Sequence, residues 1–123
     1  MWQKLLLIAL AGSLGTLARF GVSQLANHWA GQGFPWGTLI VNSLGCFLFG
    51  LIWTLPEAYL SQEWKVVVLT GFMGSLTTFS TYSFECVDLA EHGKWSLAAG
   101  NLGVQLIAGL ACVVIGLSVG RRM

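Results

Sequence analysis

Apolar residues gather into four runs separated by short polar breaks. The first covers about 4–26, with Arg19 its only charge beyond Lys4. The second, about 38–55, follows NHWAGQGFPWG and stops at Pro56 and Glu57. The third, about 65–90, begins after EAYLSQEW; the fourth, about 96–120, follows EHGKW and ends before RRM. A helix crosses a bilayer core with about 20 apolar residues. Each run therefore predicts one transmembrane helix, and residues 1–123 predict one all-α domain of four spans. Trp29, Trp36, Trp64 and Trp95 fall beside expected helix ends and Trp2 at the start, as tryptophans do at membrane interfaces. Only Trp53 lies inside a run, near its end.

Composition agrees. Hydrophobic residues make up 55% of the chain and charged residues 9%, whereas a soluble domain is about one quarter charged. The opening MWQKLLLIALAG has the lysine, apolar run and small residues of a signal peptide. The apolar character continues through SLGTLARFGVSQLA, which favours a span. A net charge of +1 excludes a nucleic-acid partner. Cys46, Cys86 and Cys112 lack metal-binding spacing and are expected to be inert thiols. His28 and His92 fall in expected loops, and no nucleophile–base pair is visible, so an enzyme is disfavoured. Four spans place both termini on one side, with Lys4, Lys65, Arg121 and Arg122; Lys94 lies opposite, and Arg19 within a span. That bias is weak enough to permit insertion in either direction.

The polar positions inside the spans are unevenly distributed. At about 1.5 Å per helical residue, Arg19, Asn42, Ser80, Thr81, Ser83, Glu85, Asn101 and Gln105 all fall in the membrane half away from the termini. LLLIALA, CFLFGLIW, KVVVLTGF and LACVVIGL leave the other half nearly bare. One subunit then holds half of a polar path, and an inverted second copy would supply the rest, as inverted repeats do in transporters.

The densest polar feature is GSLTTFSTYSFE, where seven hydroxyls lie between Ser75 and Ser83. Bonding back to the preceding turn satisfies one or two such groups but not seven. Hydroxyls, the Asn42 amide and the positive edges of Phe79 and Tyr82 suit a small hard anion; ring faces would suit a cation. Glu85 either pairs with Arg19, or both snorkel to the interface. Glycines in TGFMGSLTT allow the third helix to break near the midplane, and the carbonyls so freed suit a weakly held monovalent cation. A small dual-topology proton-coupled multidrug exporter is the alternative. It is disfavoured because the first, second and fourth spans contain no acid.

The motifs resemble those of the small dual-topology fluoride channels called Fluc or CrcB. GSLGTLARF in the first span matches the family's Gly-x-x-Gly-x-x-x-Arg, ending at Arg19. GTLIVNSLG in the second brings Thr38 and Asn42, and TGFMGSLTTFSTYSFE in the third matches the most specific signature. The resemblance implies an antiparallel homodimer in the bacterial inner membrane, with two pores for passive fluoride export. It implies a sodium ion at the dimer centre, held by backbone carbonyls at the break in the third span, at positions matching Gly74 and Thr77. It implies pore-lining roles for Asn42, Phe79, Ser80, Thr81 and Ser83, and for Tyr82, where the family has phenylalanine. Arg19, Thr38 and Glu85 are further candidates.

Overall fold

The computed structural model describes residues 1–123 and is all helical: α1 Trp2–Ala30, α2 Trp36–Thr54, α3 Gln62–Val66, a π-helical stretch Val67–Met73, α4 Gly74–Leu76, α5 Phe79–Glu91 and α6 Trp95–Gly120. Three helices, α1, α2 and α6, are long and apolar enough to cross a membrane. At about 1.5 Å per residue, the 29 residues of α1 exceed a bilayer core of about 30 Å. They carry His28 in the last helical turn rather than in a loop.

The expected third span, about 65–90, runs in pieces from Gln62 to Glu91. The interruption does not fall at the glycines of TGFMG. Gly71 lies in the π stretch, where a Cβ would come within 2.7 Å of Ile8 O in α1. Helical conformation instead fails at Thr77 (φ −84°, ψ 156°) and Thr78 (φ −149°, ψ 115°). β-Branched residues favour extended backbone, and Thr78 then begins a new helix. Its Oγ1 accepts the Thr81 N–H at 3.2 Å, capping α5. At the other end of α5, Gly93 takes the left-handed conformation (φ 72°), and the Lys94 N–H closes onto Leu89 O at 2.8 Å.

α2 packs along α6, and α1 covers the π stretch, α2 and α4. The small core, Val41, Leu69, Met73 and Leu76, sits where these elements meet. At the α2–α6 crossing a Cβ on Gly116 would collide with Phe47 O, and one on Gly50 would lie 2.5 Å from Val113 O. This close backbone approach is the use small residues have between membrane helices. Gly100 and Gly103 meet nothing, so packing accounts for only part of the glycine pattern in α6. The cut ends are closed by side chains: Lys65 donates to Leu55 O at 2.6 Å and Trp53 O at 3.4 Å, capping the end of α2. Only 20 of 123 residues are buried, and Leu6, Leu10, Leu14 and Leu17 lie along α1 fully in the open. Apolar surface on that scale requires lipid or another chain to cover it.

Candidate functional site

The interruption between α4 and α5 governs the local chemistry. An extended residue points its N–H and C=O to the same side, and Asn42 of α2 meets both groups of Thr78. Its Oδ1 accepts the Thr78 N–H at 2.8 Å, and its Nδ2 donates to Thr78 O at 3.1 Å. The side-chain amide thus replaces a neighbouring strand. The second Nδ2 hydrogen goes to Gln105 Oε1 of α6 at 2.8 Å. Gln105 Nε2 donates to Asn101 Oδ1 at 3.1 Å, and Asn101 Nδ2 to Cys86 Sγ at 3.3 Å. Asn101 is fully buried and Gln105 is 7% exposed, so this relay runs in the interior. The peptide N–H of Thr78 sets its direction. Because Asn42 must accept there, every amide beyond it is turned donor-outward from the break.

Among the backbone carbonyls that lose their helical donors at the break are those of Gly74 and Thr77. In a continuous helix Gly74 O would accept from Thr78 N–H and Thr77 O from Thr81 N–H. Those donors bond Asn42 Oδ1 and Thr78 Oγ1 instead. Both residues line a cavity of about 430 Å³ among α2, the interrupted segment and α6. Its wall includes Asn42, Thr78, Phe79, Tyr82 and Gln105, and no charged side chain. Phe79, 78% exposed, meets Tyr82 edge to face, with centroids 5.8 Å apart at 64°.

The hydroxyl series separates into three uses. Thr77 and Ser83 bond back to Met73 O at 3.0 Å and Phe79 O at 2.9 Å. Thr78 Oγ1 donates to Thr81 Oγ1 at 2.9 Å and lies 3.3 Å from Ser80 Oγ, gathering three hydroxyls at the start of α5. Tyr82 donates to Leu102 O at 2.9 Å, which joins α5 to α6 and commits the hydroxyl that distinguishes it from phenylalanine. Ser80, Thr81 and Ser83 do not line the cavity beside Asn42; Asn42, Phe79, Tyr82, Gly74 and Thr77 do.

Glu85 does not pair with Arg19. No lysine or arginine lies within ion-pair distance of a carboxylate; His92 Nδ1 lies 3.5 Å from Asp88 Oδ1. Glu85 Oε1 instead accepts the Thr38 hydroxyl at 2.6 Å, and Oε2 is buried without a partner. Glu85 borders a second, smaller cavity of about 280 Å³ with Asp88, Asn27 and Gln32. In the sequence Thr78 stands out only as one of the seven hydroxyls, and nothing there connects Asn101 and Gln105 to Asn42. Their spacing of four residues, which puts both on one face of a helix, was the available signal.

The family model described as CrcB-like protein, Camphor Resistance (CrcB), matches residues 6–117. The fluoride-specific ion channel FluC of Nitrosococcus oceani is 50% identical over 123 residues, 98% of either chain. FluC of Solidesulfovibrio magneticus is also 50% identical, again over 98% of both chains. FluC of Nitratidesulfovibrio vulgaris is 49% identical over 121 residues, 97% of this chain and 98% of its own.

Proposed function

This chain belongs to the CrcB family, and from that membership we propose that it is a fluoride-specific channel, not an enzyme, that lets cytoplasmic fluoride leave down its electrochemical gradient. The observation that carries the reading is the cavity wall: the rings of Phe79 and Tyr82, the amides of Asn42 and Gln105 and the threonines Thr77 and Thr78 in an otherwise apolar lining, with no charged side chain. Fluoride is small and strongly hydrated. A fixed cation in a low-dielectric site would hold it too tightly to pass. Neutral donors and positive ring edges replace its water and still release it. Hydrogen fluoride crosses bilayers as a neutral acid and ionises inside. An inside-negative potential then drives the anion out with no coupled ion. The exporter alternative needs an acid in the transport path. No Asp or Glu lines the cavity beside Asn42, and Glu85 is bonded to Thr38.

The finer assignments belong to the same reading. The protein is a multi-pass membrane protein, which we place in the bacterial inner membrane with four crossings, the third interrupted at Thr77 and Thr78. Two copies pair in opposite orientations and lipid covers their outer faces. Asn42, Phe79 and Tyr82 border the fluoride path, and Ser80, Thr81 and Ser83 lie along the helix that leads to it. The carbonyls of Gly74 and Thr77 fit a monovalent cation: they have lost their helical donors, border the cavity and have no carboxylate beside them. They would hold a sodium ion, whose charge supplies structural stability and takes no part in conduction.

Efflux from liposomes containing the purified protein tests this reading. Fluoride and chloride electrodes are read with a potassium ionophore clamping the voltage. Fast fluoride loss without chloride loss is expected; a verified assembly that releases no fluoride would overturn the proposal. Replacing sodium by a large organic cation should lower the melting temperature of the detergent-solubilised protein, because a ligand bound only to the folded state stabilises it.

A further inference from the structure

We propose that Gln105 is a stand-in for the anion: its Oε1 holds the Asn42 donor while no fluoride is present, and yields it when fluoride arrives. The inference rests on the fluoride reading above. Asn42 has two Nδ2 hydrogens. One is held by Thr78 O as part of the two-bond pairing that keeps the break extended. The other ends on Gln105 Oε1 at 2.8 Å, and both residues line the 430 Å³ cavity together with Phe79 and Tyr82. Asn42 therefore has no free donor. An anion can gain a bond from it only by replacing Gln105 Oε1.

The exchange has a physical use. A buried amide hydrogen without an acceptor is costly, so a bare donor in the cavity would bind fluoride strongly and release it slowly. With Gln105 in place, each arriving anion breaks one hydrogen bond to form another, which weakens net binding. Gln105 is suited to the exchange because its Nε2 remains tethered to Asn101 Oδ1 at 3.1 Å, and Asn101 is itself anchored to Cys86. The displaced carbonyl leaves the side chain still held. Gln105 is thus a positioning residue that acts through Asn42.

Two substitutions read the exchange in opposite directions. Gln105→Met keeps length and volume but removes the competing acceptor. The fluoride concentration for half-maximal efflux should fall about tenfold, and the maximal rate should fall with it, as expected when a competing hydrogen bond no longer has to be broken. Gln105→Glu keeps the acceptor and adds negative charge, so half-maximal efflux should need more fluoride than in the wild type. A purely structural lesion would not move the two variants to opposite sides of the wild type. Half-saturation unchanged in both, or shifted the same way, would overturn the role of Gln105 while wild-type fluoride efflux upheld the channel. Absence of fluoride efflux from the wild type would instead remove the fluoride reading itself. Should Gln105→Met fail to assemble, amide NMR of the wild type decides. The Asn42 and Gln105 side-chain signals should shift together with fluoride and not with chloride; static signals overturn the exchange.

Discussion

At the scale of single residues, the aromatic pair separates two properties that tyrosine combines. Tyr82 gives its ring edge to Phe79 but its hydroxyl to Leu102 O, so the hydroxyl is spent on structure. Tyr82→Phe should keep fluoride efflux within about twofold of wild type while losing about 1 kcal/mol of stability, the usual net value of one hydrogen bond. Phe79→Ile should do the reverse. It removes an exposed ring from the cavity wall and should slow efflux by about tenfold or more, roughly 1.4 kcal/mol in barrier, with the assembly intact. Efflux and thermal melts on the same preparations would show whether conduction and stability separate in this way. Efflux lost in Tyr82→Phe at unchanged stability would return the hydroxyl to the pore.

Glu85 shows what a linear sequence conceals at this scale. Charge alone suggested Arg19 as its partner, because both lie in the same half of the membrane. The hydroxyl of Thr38, 47 residues away, is the group that reaches it. No spacing rule connects α2 to α5 at that distance, and only the packing around the break brings them together. Thr38→Val, nearly the same shape, leaves the buried carboxyl without a donor and should cost about 2 kcal/mol. A double-mutant cycle with Glu85→Gln checks this, because two residues in contact give non-additive effects. Additive losses would mean that the pair does not interact in solution.

At the scale of elements, the helices were legible and the break was only partly so. Hydropathy and tryptophans located the three long apolar helices α1, α2 and α6, since length and burial in lipid leave few alternatives. A break in the third run was expected from its glycines and, through the family resemblance, at Gly74 and Thr77; the chain leaves the helix at Thr77 and Thr78. Gly71 serves the contact with α1, whereas Thr77 and Thr78 leave the helix because Asn42 supplies the bonds that the helix gives up. A residue on another element decides where this helix stops, so local propensity could not locate it. The α2–α6 crossing was more readable: Gly116 allows contact with Phe47 O. Gly116→Ala should cost about 1–3 kcal/mol through overpacking, measured by thermal melting. Gly100→Ala, with nothing near it, should be close to neutral. Equal effects at the two glycines would contradict the crossing as described.

At the scale of the whole molecule, the chain looks like half of an object. The cavity beside Asn42 lies among α2, the interrupted segment and α6, and little of the chain's surface is buried. The lopsided polar distribution leads to the expectation of an inverted partner, and the sparse charges set the condition under which one could form. Lys4, Arg121 and Arg122 lie near the termini, while Lys94 lies at the opposite turn. Since lysines and arginines set orientation, a few added charges should fix it. Three arginines appended after Met123 should hold the termini in the cytoplasm; Glu91→Arg with His92→Arg should turn the chain over. If the active unit is an antiparallel pair, cells making either variant alone should lose fluoride export, and cells making both should recover it. Export by either variant alone, with its single orientation established by impermeant thiol labelling of a terminal cysteine in a cysteine-free background, would mean that parallel copies suffice.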